Sequence, residues 1–181
     1  MIFHSKVIKL HDKIFRKYIS KYTIKRAVKR IATEINTDYK NTKPLILPIL
    51  NGSYIFAADL SRCIELPIEL SFIKTISYIG TESGELISII GLTEDIKERD
   101  IIIIEDIVDT GKTAKKTIDE LYCKGAKSVK LAVLLFKPDS LKVELKIDYI
   151  GIEIKNEFVV GYGLDYNGLG RNLSHIYRTT E

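Results

Sequence analysis

Apolar residues recur along this chain with two periods, and the switches between them mark its elements. Between residues 20 and 38, Ile24, Ala27, Val28, Ile31, Ala32 and Ile35 fall at i, i+3, i+4, i+7, i+8 and i+11. That spacing predicts a helix with one buried stripe, and Ser20 stands where an N-cap would accept from the first turn. After Pro44 the run Leu45-Ile46-Leu47-Pro48-Ile49-Leu50 predicts a short strand. Asn51-Gly52-Ser53 breaks it, and residues 54–64 read as a second helix. Residues 68–73 are another mostly apolar run. Residues 76–91 read as two strands around a tip rich in Gly, Ser and Thr, either a hairpin or a long mobile loop. Ile101-Ile102-Ile103-Ile104 is the strongest strand signal. Four β-branched residues without alternation predict burial on both faces, as in the middle of a parallel sheet. A helix over about 113–124 should end at Gly125. Strands are predicted over 129–136, 149–154 and 158–162.

Strands alternating with helices predict an α/β fold with a mostly parallel sheet. In such sheets ligands bind beyond the carboxyl ends of the strands, so the sites should lie just after Leu50, Ile104 and Phe136. There is no internal repeat, low-complexity tract or Gly/Ser linker, and 181 residues is about one domain's worth of chain. A single domain over residues 1–181 is therefore expected. The 45% apolar and 29% charged fractions argue against a largely disordered chain. No apolar run approaches the ~20 residues that a bilayer span needs, and the first residues carry no secretory signal pattern. Two cysteines, Cys63 and Cys123, are too few for a disulfide scaffold or a four-cysteine metal site. They suggest a reducing, cytoplasmic setting. The net charge of +4 is a weak signal. Arg16, Lys17, Lys21, Lys25, Arg26, Lys29 and Arg30 could form a nucleic-acid patch. Without aromatic residues clearly interleaved, a solvated helix face is the simpler account and no nucleic acid is expected.

The most informative segment is Glu105-Asp106-Ile107-Val108-Asp109-Thr110-Gly111-Lys112-Thr113. Three carboxylates within five residues, at the mouth of a buried strand, repel one another and gain nothing from packing. A polyhydroxyl ligand or a divalent cation would relieve that repulsion. Mg²⁺ suits best, because it takes hard oxygen ligands and shares them with substrate phosphates. Residues 109–113 then join the strand to a helix N-terminus. Gly111 permits a turn closed to most residues, and the free N–H groups with the helix dipole make an anion site. Thr110 and Thr113 add hydroxyl donors. One loop thus offers carboxylates for sugar hydroxyls beside a cradle for phosphate, as a ribose 5-phosphate requires. A nucleoside-triphosphate P-loop would need Gly where Asp106 stands, and the dinucleotide fingerprint fails after Gly161-Tyr162-Gly163, where Tyr166 replaces the last glycine.

IIIIEDIVDTGKT, residues 101–113, resembles the phosphoribosyl-pyrophosphate (PRPP) signature of type I phosphoribosyltransferases. Residues 50–60, LNGSYIFAADL, resemble the pyrophosphate loop and helix of hypoxanthine phosphoribosyltransferases. Residues 158–167, FVVGYGLDYN, followed by Arg171, resemble that subfamily's purine-binding segment. The likeness runs from about residue 20 to the end of the chain. It implies the type I phosphoribosyltransferase fold, a mostly parallel central sheet flanked by helices with a small hood built from the chain's ends.

The resemblance also implies a reaction: Mg²⁺-dependent transfer of ribose 5-phosphate from PRPP to N9 of hypoxanthine, and of guanine too, in purine salvage. Glu105 and Asp106 match the pair that holds the ribose hydroxyls and Mg²⁺, and Asp109 matches the proposed base at purine N7. Asp109, Thr110, Gly111, Lys112 and Thr113 match the 5′-phosphate loop. Asn51 and Gly52, with Arg171, match the pyrophosphate contacts. Lys137 matches the donor to purine O6, Phe158 the stacking aromatic and Val159 the backbone contact to the base. Asp165 matches a residue near the purine 2-position that can also touch a second Mg²⁺. Ser77 and Tyr78, with residues 80–84, match the flexible lid. Many family members carry Lys where this chain has Asn51, and a peptide bond there can be cis; the backbone N–H groups of Asn51, Gly52 and Ser53 can still bind pyrophosphate. A homodimer or homotetramer is implied. The rival expectations are a xanthine-preferring transferase and a regulatory protein that keeps the PRPP fold and binds nucleic acid.

Overall fold

Two sheets organise residues 6–79 and 85–180, the part of the chain that this computed structural model describes. In chain order the elements are β1 (Val7–Leu10), β2 (Lys13–Ile19), α1 (Lys21–Asp38), β3 (Leu45–Leu50), α2 (Tyr54–Ser61), β4 (Glu69–Leu70), β5 (Ile73–Ile79), β6 (Glu85–Ile90), β7 (Asp100–Val108), α3 (Lys112–Cys123), β8 (Ser128–Phe136), β9 (Tyr149–Glu153), β10 (Val159–Val160) and β11 (Ile176–Thr179), with a 3₁₀ turn at Pro138–Ser140.

The larger sheet has the order β6-β5-β3-β7-β8-β9, and β4 pairs with β3 off this path. All its pairings are parallel except β5–β6. The isoleucine run explains the layering. Ile102 and Ile104 pack with α1 and α2 on one face, and Ile101 and Ile103 pack with α3 on the other. All four are fully buried, as the missing alternation required. The predicted stripe of α1 is buried throughout, and the Ser20 hydroxyl accepts the Thr23 N–H at 3.1 Å. The basic residues Lys21, Lys25, Arg26, Lys29 and Arg30 lie on its exposed side. Arg30 also donates to the carbonyls of Ile150 and Gly151, at 2.8 and 2.7 Å. Among the described residues no helix is long and apolar enough to cross a membrane.

The smaller sheet, β1-β2-β11-β10, is antiparallel and draws its strands from both ends of the described chain. Ile8, Phe15, Val160, Leu173 and Tyr177 form its own apolar cluster. It is the expected hood.

Four elements differ from the sequence expectations by more than a residue. The 158–162 strand shrinks to Val159–Val160 and pairs with β11 in the hood. It stops there because Gly161, Tyr162 and Gly163 all take positive φ, at 105°, 51° and 105°. The 68–73 run splits between β4 and β5. The second helix ends at Ser61, short of residue 64. Strand β7 continues to Val108, because Glu105, Ile107 and Val108 still pair with Val133, Leu135 and Phe136 of β8. Glu105 and Asp106 therefore lie within the strand, and the loop begins at Asp109. Of the expected lid, Ser77 and Tyr78 lie on β5 opposite Ile87 and Leu86, and residues 80–84 fall outside the described residues.

Candidate active site

The carboxyl ends of β3, β7 and β8 converge on one small volume. On β7, Glu105 is only 9% exposed. Burial, reinforced by the neighbouring Asp106 carboxylate, pushes the Glu105 carboxyl well above the usual carboxylate range. Burial also raises Asp106, against the N–H of Ile107, which donates to its Oδ1 at 3.0 Å, and the charge of Arg171. Two ionisable acids, one buried and one half-buried, stand side by side in the chain. Such a pair favours a proton or a cation over two bare charges. A Cβ on Gly52 would lie 1.6 Å from Asp106 Oδ2, so the loop after β3 lies directly against this carboxylate and only glycine fits there.

The loop after β7 closes a cavity of about 210 Å³ lined by Glu105, Asp106, Asp109, Thr110, Gly111 and Thr113, among others. Gly111 caps α3 at φ +77°, a conformation that favours glycine. A Cβ there would also approach Leu141 Cδ1 to 2.6 Å. No side chain caps the helix and no acid occupies its first turn. Its N–H groups and the positive end of its dipole are thus left for an anion.

On the other side of Asp109 stands Lys137, just past β8. Its ammonium donates to Asp109 Oδ2 at 2.7 Å and lies 3.5 Å from Asn156 Oδ1. The Lys137 side chain is only 8% exposed, and a buried ammonium requires such partners. Phe158, 45% exposed, meets Tyr166 edge to face at 5.7 Å and Phe15 at 6.1 Å. The hood thus presents a fixed, half-open aromatic ring. Val159 beside it is paired with Arg178 of β11.

The C-terminal segment folds back onto the loop after β3. Arg171 donates to the Gly163 carbonyl at 2.7 Å and pairs with Asp165 at 2.6 Å. The second Asp165 oxygen accepts the Gly168 N–H at 2.7 Å. A Cβ on Gly163 would lie 2.0 Å from the Gly52 carbonyl oxygen. The Leu50–Asn51 peptide bond is cis. Asn51 is exposed, while Ser53 is buried and its hydroxyl donates to Ile49 O at 2.6 Å.

The sequence segments around Asn51, Asp106 and Arg171 thus meet, and those around Asp109 and Lys137 meet beside them. Two residues with no role assigned from sequence, Asn156 and Tyr166, belong to the site through Lys137 and Phe158. Tyr166 stood within the purine-segment resemblance, whereas Asn156 carried no signal beyond its place two residues before Phe158. Among the described residues no three His, Cys, Asp or Glu side chains form a ready-made metal cage. The donor set that does exist, two hard carboxyl groups beside a phosphate cradle, fits Mg²⁺, which takes one or two carboxylates and completes its shell with water and phosphate oxygens.

A family model described as the phosphoribosyl transferase domain matches residues 19–167. The hypoxanthine-guanine phosphoribosyltransferase of Lactococcus lactis is 44% identical over 144 residues, covering 78% of each chain. The chain belongs to this phosphoribosyltransferase family. Its relative from Bacillus subtilis, of the same name, is 40% identical over 144 residues, 78% of this chain and 80% of that protein. A crystal structure of a hypoxanthine phosphoribosyltransferase from Staphylococcus aureus superimposes with a TM-score of 0.86 at 32% identity, covering 99% of this chain and 95% of that one. The type I phosphoribosyltransferase fold expected from the resemblance is the fold found. This family member also matches the bifunctional protein TilS/HprT of Listeria monocytogenes, at 38% identity over 169 residues, 92% of this chain; it spans about a quarter of that relative's length, 26%.

Proposed function

We propose that the chain transfers ribose 5-phosphate from PRPP to N9 of hypoxanthine, and of guanine, releasing pyrophosphate and forming IMP or GMP. The names of the relatives support the reaction class. The observation that carries the reading is the Asp109–Lys137 pair at 2.7 Å between a helix N-terminus free for phosphate and a half-open aromatic ring.

Each group then has work that its surroundings allow. The N–H groups of the 109–113 loop and the hydroxyls of Thr110 and Thr113 hold the 5′-phosphate. Glu105 and Asp106 accept from the ribose hydroxyls and would hold Mg²⁺, and Asp165 would serve a second. When bound, the cation neutralises the pyrophosphate leaving group. The 51–53 loop and Arg171 receive that pyrophosphate. Phe158 stacks on the base and Val159 meets its edge. Lys137 turns from Asp109 to donate to O6, which frees Asp109 to take the proton from N7. N9 attacks the ribose C1′ as the bond to pyrophosphate breaks. The nearby carboxylates stabilise the cationic ribosyl character of that transition state. Ser77 and Tyr78 belong to the lid in this reading, and the working assembly is a cytoplasmic dimer or tetramer.

The reading is tested by incubating the protein with PRPP, Mg²⁺ and a panel of hypoxanthine, guanine, xanthine and adenine. IMP and pyrophosphate should appear from hypoxanthine, and no turnover with any 6-oxopurine overturns the assignment. Adenine should be rejected, because its 6-amino group would place a donor against the Lys137 ammonium, and a site built on such a bond discriminates strongly. Lys137→Met should therefore lower kcat/KM for hypoxanthine by about 10²-fold or more and shrink the preference over adenine. An unchanged ratio of the two would remove Lys137 from base recognition.

A further inference from the structure

We propose that Tyr162 and Asp59 form a latch that positions the 51–53 loop, making Tyr162 a positioning residue for PRPP and pyrophosphate; this rests on the function proposed above. Neither side chain is part of the binding machinery already described.

The loop's N–H groups can hold a diphosphate only if both flanks of the loop are fixed. On one flank β3 is locked between β5 and β7. On the other, α2 is eight residues long and the side chain of its N-cap, Ser53, accepts no N–H of the helix's first turn, its hydroxyl being turned back to Ile49 O. A helix so short has little stability of its own, so its position depends on what it packs against. Phe56, Ala57 and Leu60 anchor its inner face. On its last turn, Asp59 Oδ2 accepts the Tyr162 hydroxyl at 2.5 Å, and Asp59 also pairs with Arg62.

The tyrosine comes from the turn that touches the loop itself. Gly163 is the residue with no room for a Cβ against the Gly52 carbonyl. Tyr162, one position earlier, is 6% exposed and holds φ +51°, an unfavourable backbone for a bulky side chain that persists where its surroundings over-determine it. Those surroundings are visible. Tyr162 N–H donates to Leu173 O at 2.8 Å, and Gly163 N–H donates to Arg171 O at 2.9 Å. One rigid turn therefore grips the loop at Gly52 and the following helix at Asp59, seven residues on. Burial and the Asp59 carboxylate push the Tyr162 phenol upward, so it remains a donor throughout the working pH range.

Tyr162→Phe removes the hydroxyl and keeps the ring. A hydrogen bond to a charged acceptor is strong enough that its loss should raise KM for PRPP, and for pyrophosphate in the reverse direction, about tenfold. KM for hypoxanthine and kcat should stay within about twofold. Asp59→Ala should do the same, Asp59→Asn, which keeps an acceptor oxygen, should recover most of the loss, and Tyr162→Phe with Asp59→Ala should be no worse than either alone. An unchanged KM for PRPP, or an equal rise for hypoxanthine, overturns the latch, since general loosening would affect both substrates. Calorimetry with Mg²⁺·PRPP and no base separates this from the function itself. If the native chain binds PRPP but turns over no 6-oxopurine, only the proposed function falls. About tenfold weaker PRPP binding by Tyr162→Phe then still supports the latch, and equal binding refutes it.

Discussion

Asp109→Asn should lower kcat by about 10²–10³-fold and leave KM for PRPP within about threefold. Asparagine keeps the size of the side chain, so the turn at Gly111 and the uncapped N–H groups of α3 survive to hold the phosphate. What disappears is the basic oxygen that the proposed reaction uses at the purine. Lys137 loses its 2.7 Å anionic partner but keeps Asn156 Oδ1 at 3.5 Å, so KM for the purine should shift far less than kcat. Steady-state kinetics in both substrates decides the matter. If KM for PRPP rises in step with the fall in kcat, Asp109 serves binding and proton removal belongs elsewhere.

The second large effect couples stability to activity through opposite signs. Glu105→Gln should abolish tight PRPP binding and yet raise the melting temperature of the free protein at neutral pH. The folded pKa of Glu105 lies above its unfolded value because of burial and Asp106. Any stability that this group contributes is fully present below the unfolded pKa, about 4.3, and is lost as pH rises through the raised folded value. The neutral amide has no such loss. The variant's advantage in melting temperature should therefore be small near pH 4 and grow with pH. In a domain this size each kcal/mol of that advantage appears as about 2–4 °C. Adding Mg²⁺·PRPP should reverse the order, because only the native carboxylate pair gains from the cation and the ribose hydroxyls. Thermal melts across pH, with and without ligand, test both halves. A variant less stable than the native chain at pH 7 would show that the acids do not oppose folding.

The elements legible in the sequence were those whose burial follows from their own pattern. The α1 stripe and the four isoleucines of β7 each meet a partner layer on the faces their spacing dictates. The hood was not legible strand by strand. In β2 only Phe15 and Ile19 are buried among charged neighbours, and β10 is two residues long. Strand β2 takes its second partner, β11, from the far end of the described chain, and β10 is held as a strand only by β11 across an intervening loop; local propensity expresses neither pairing. The end of β7 was misplaced for a related reason. The apolar run is interrupted after Ile104 by Glu105 and Asp106, whereas the hydrogen-bonded ladder to β8 runs on to Val108. At the site, the glycine turn into an uncapped helix N-terminus followed from residue chemistry alone. The Lys137–Asp109 contact spans 28 positions, and the base-binding roles came with the family resemblance.

The order of strands in the hood has a consequence for how the protein matures. Strand β11 lies between β2 and β10, pairing Ile176 with Ile19. A ribosome must therefore release residues up to β11 before the β1–β2 hairpin and Val159 can join through it. Every strand of the larger sheet ends by Glu153, so the half that carries the loop proposed for phosphate can assemble while the aromatic wall is still unmade. In terms of the proposed function, a nascent chain would acquire its phosphate cradle and the Lys137 donor first, and the ring that stacks on the base last.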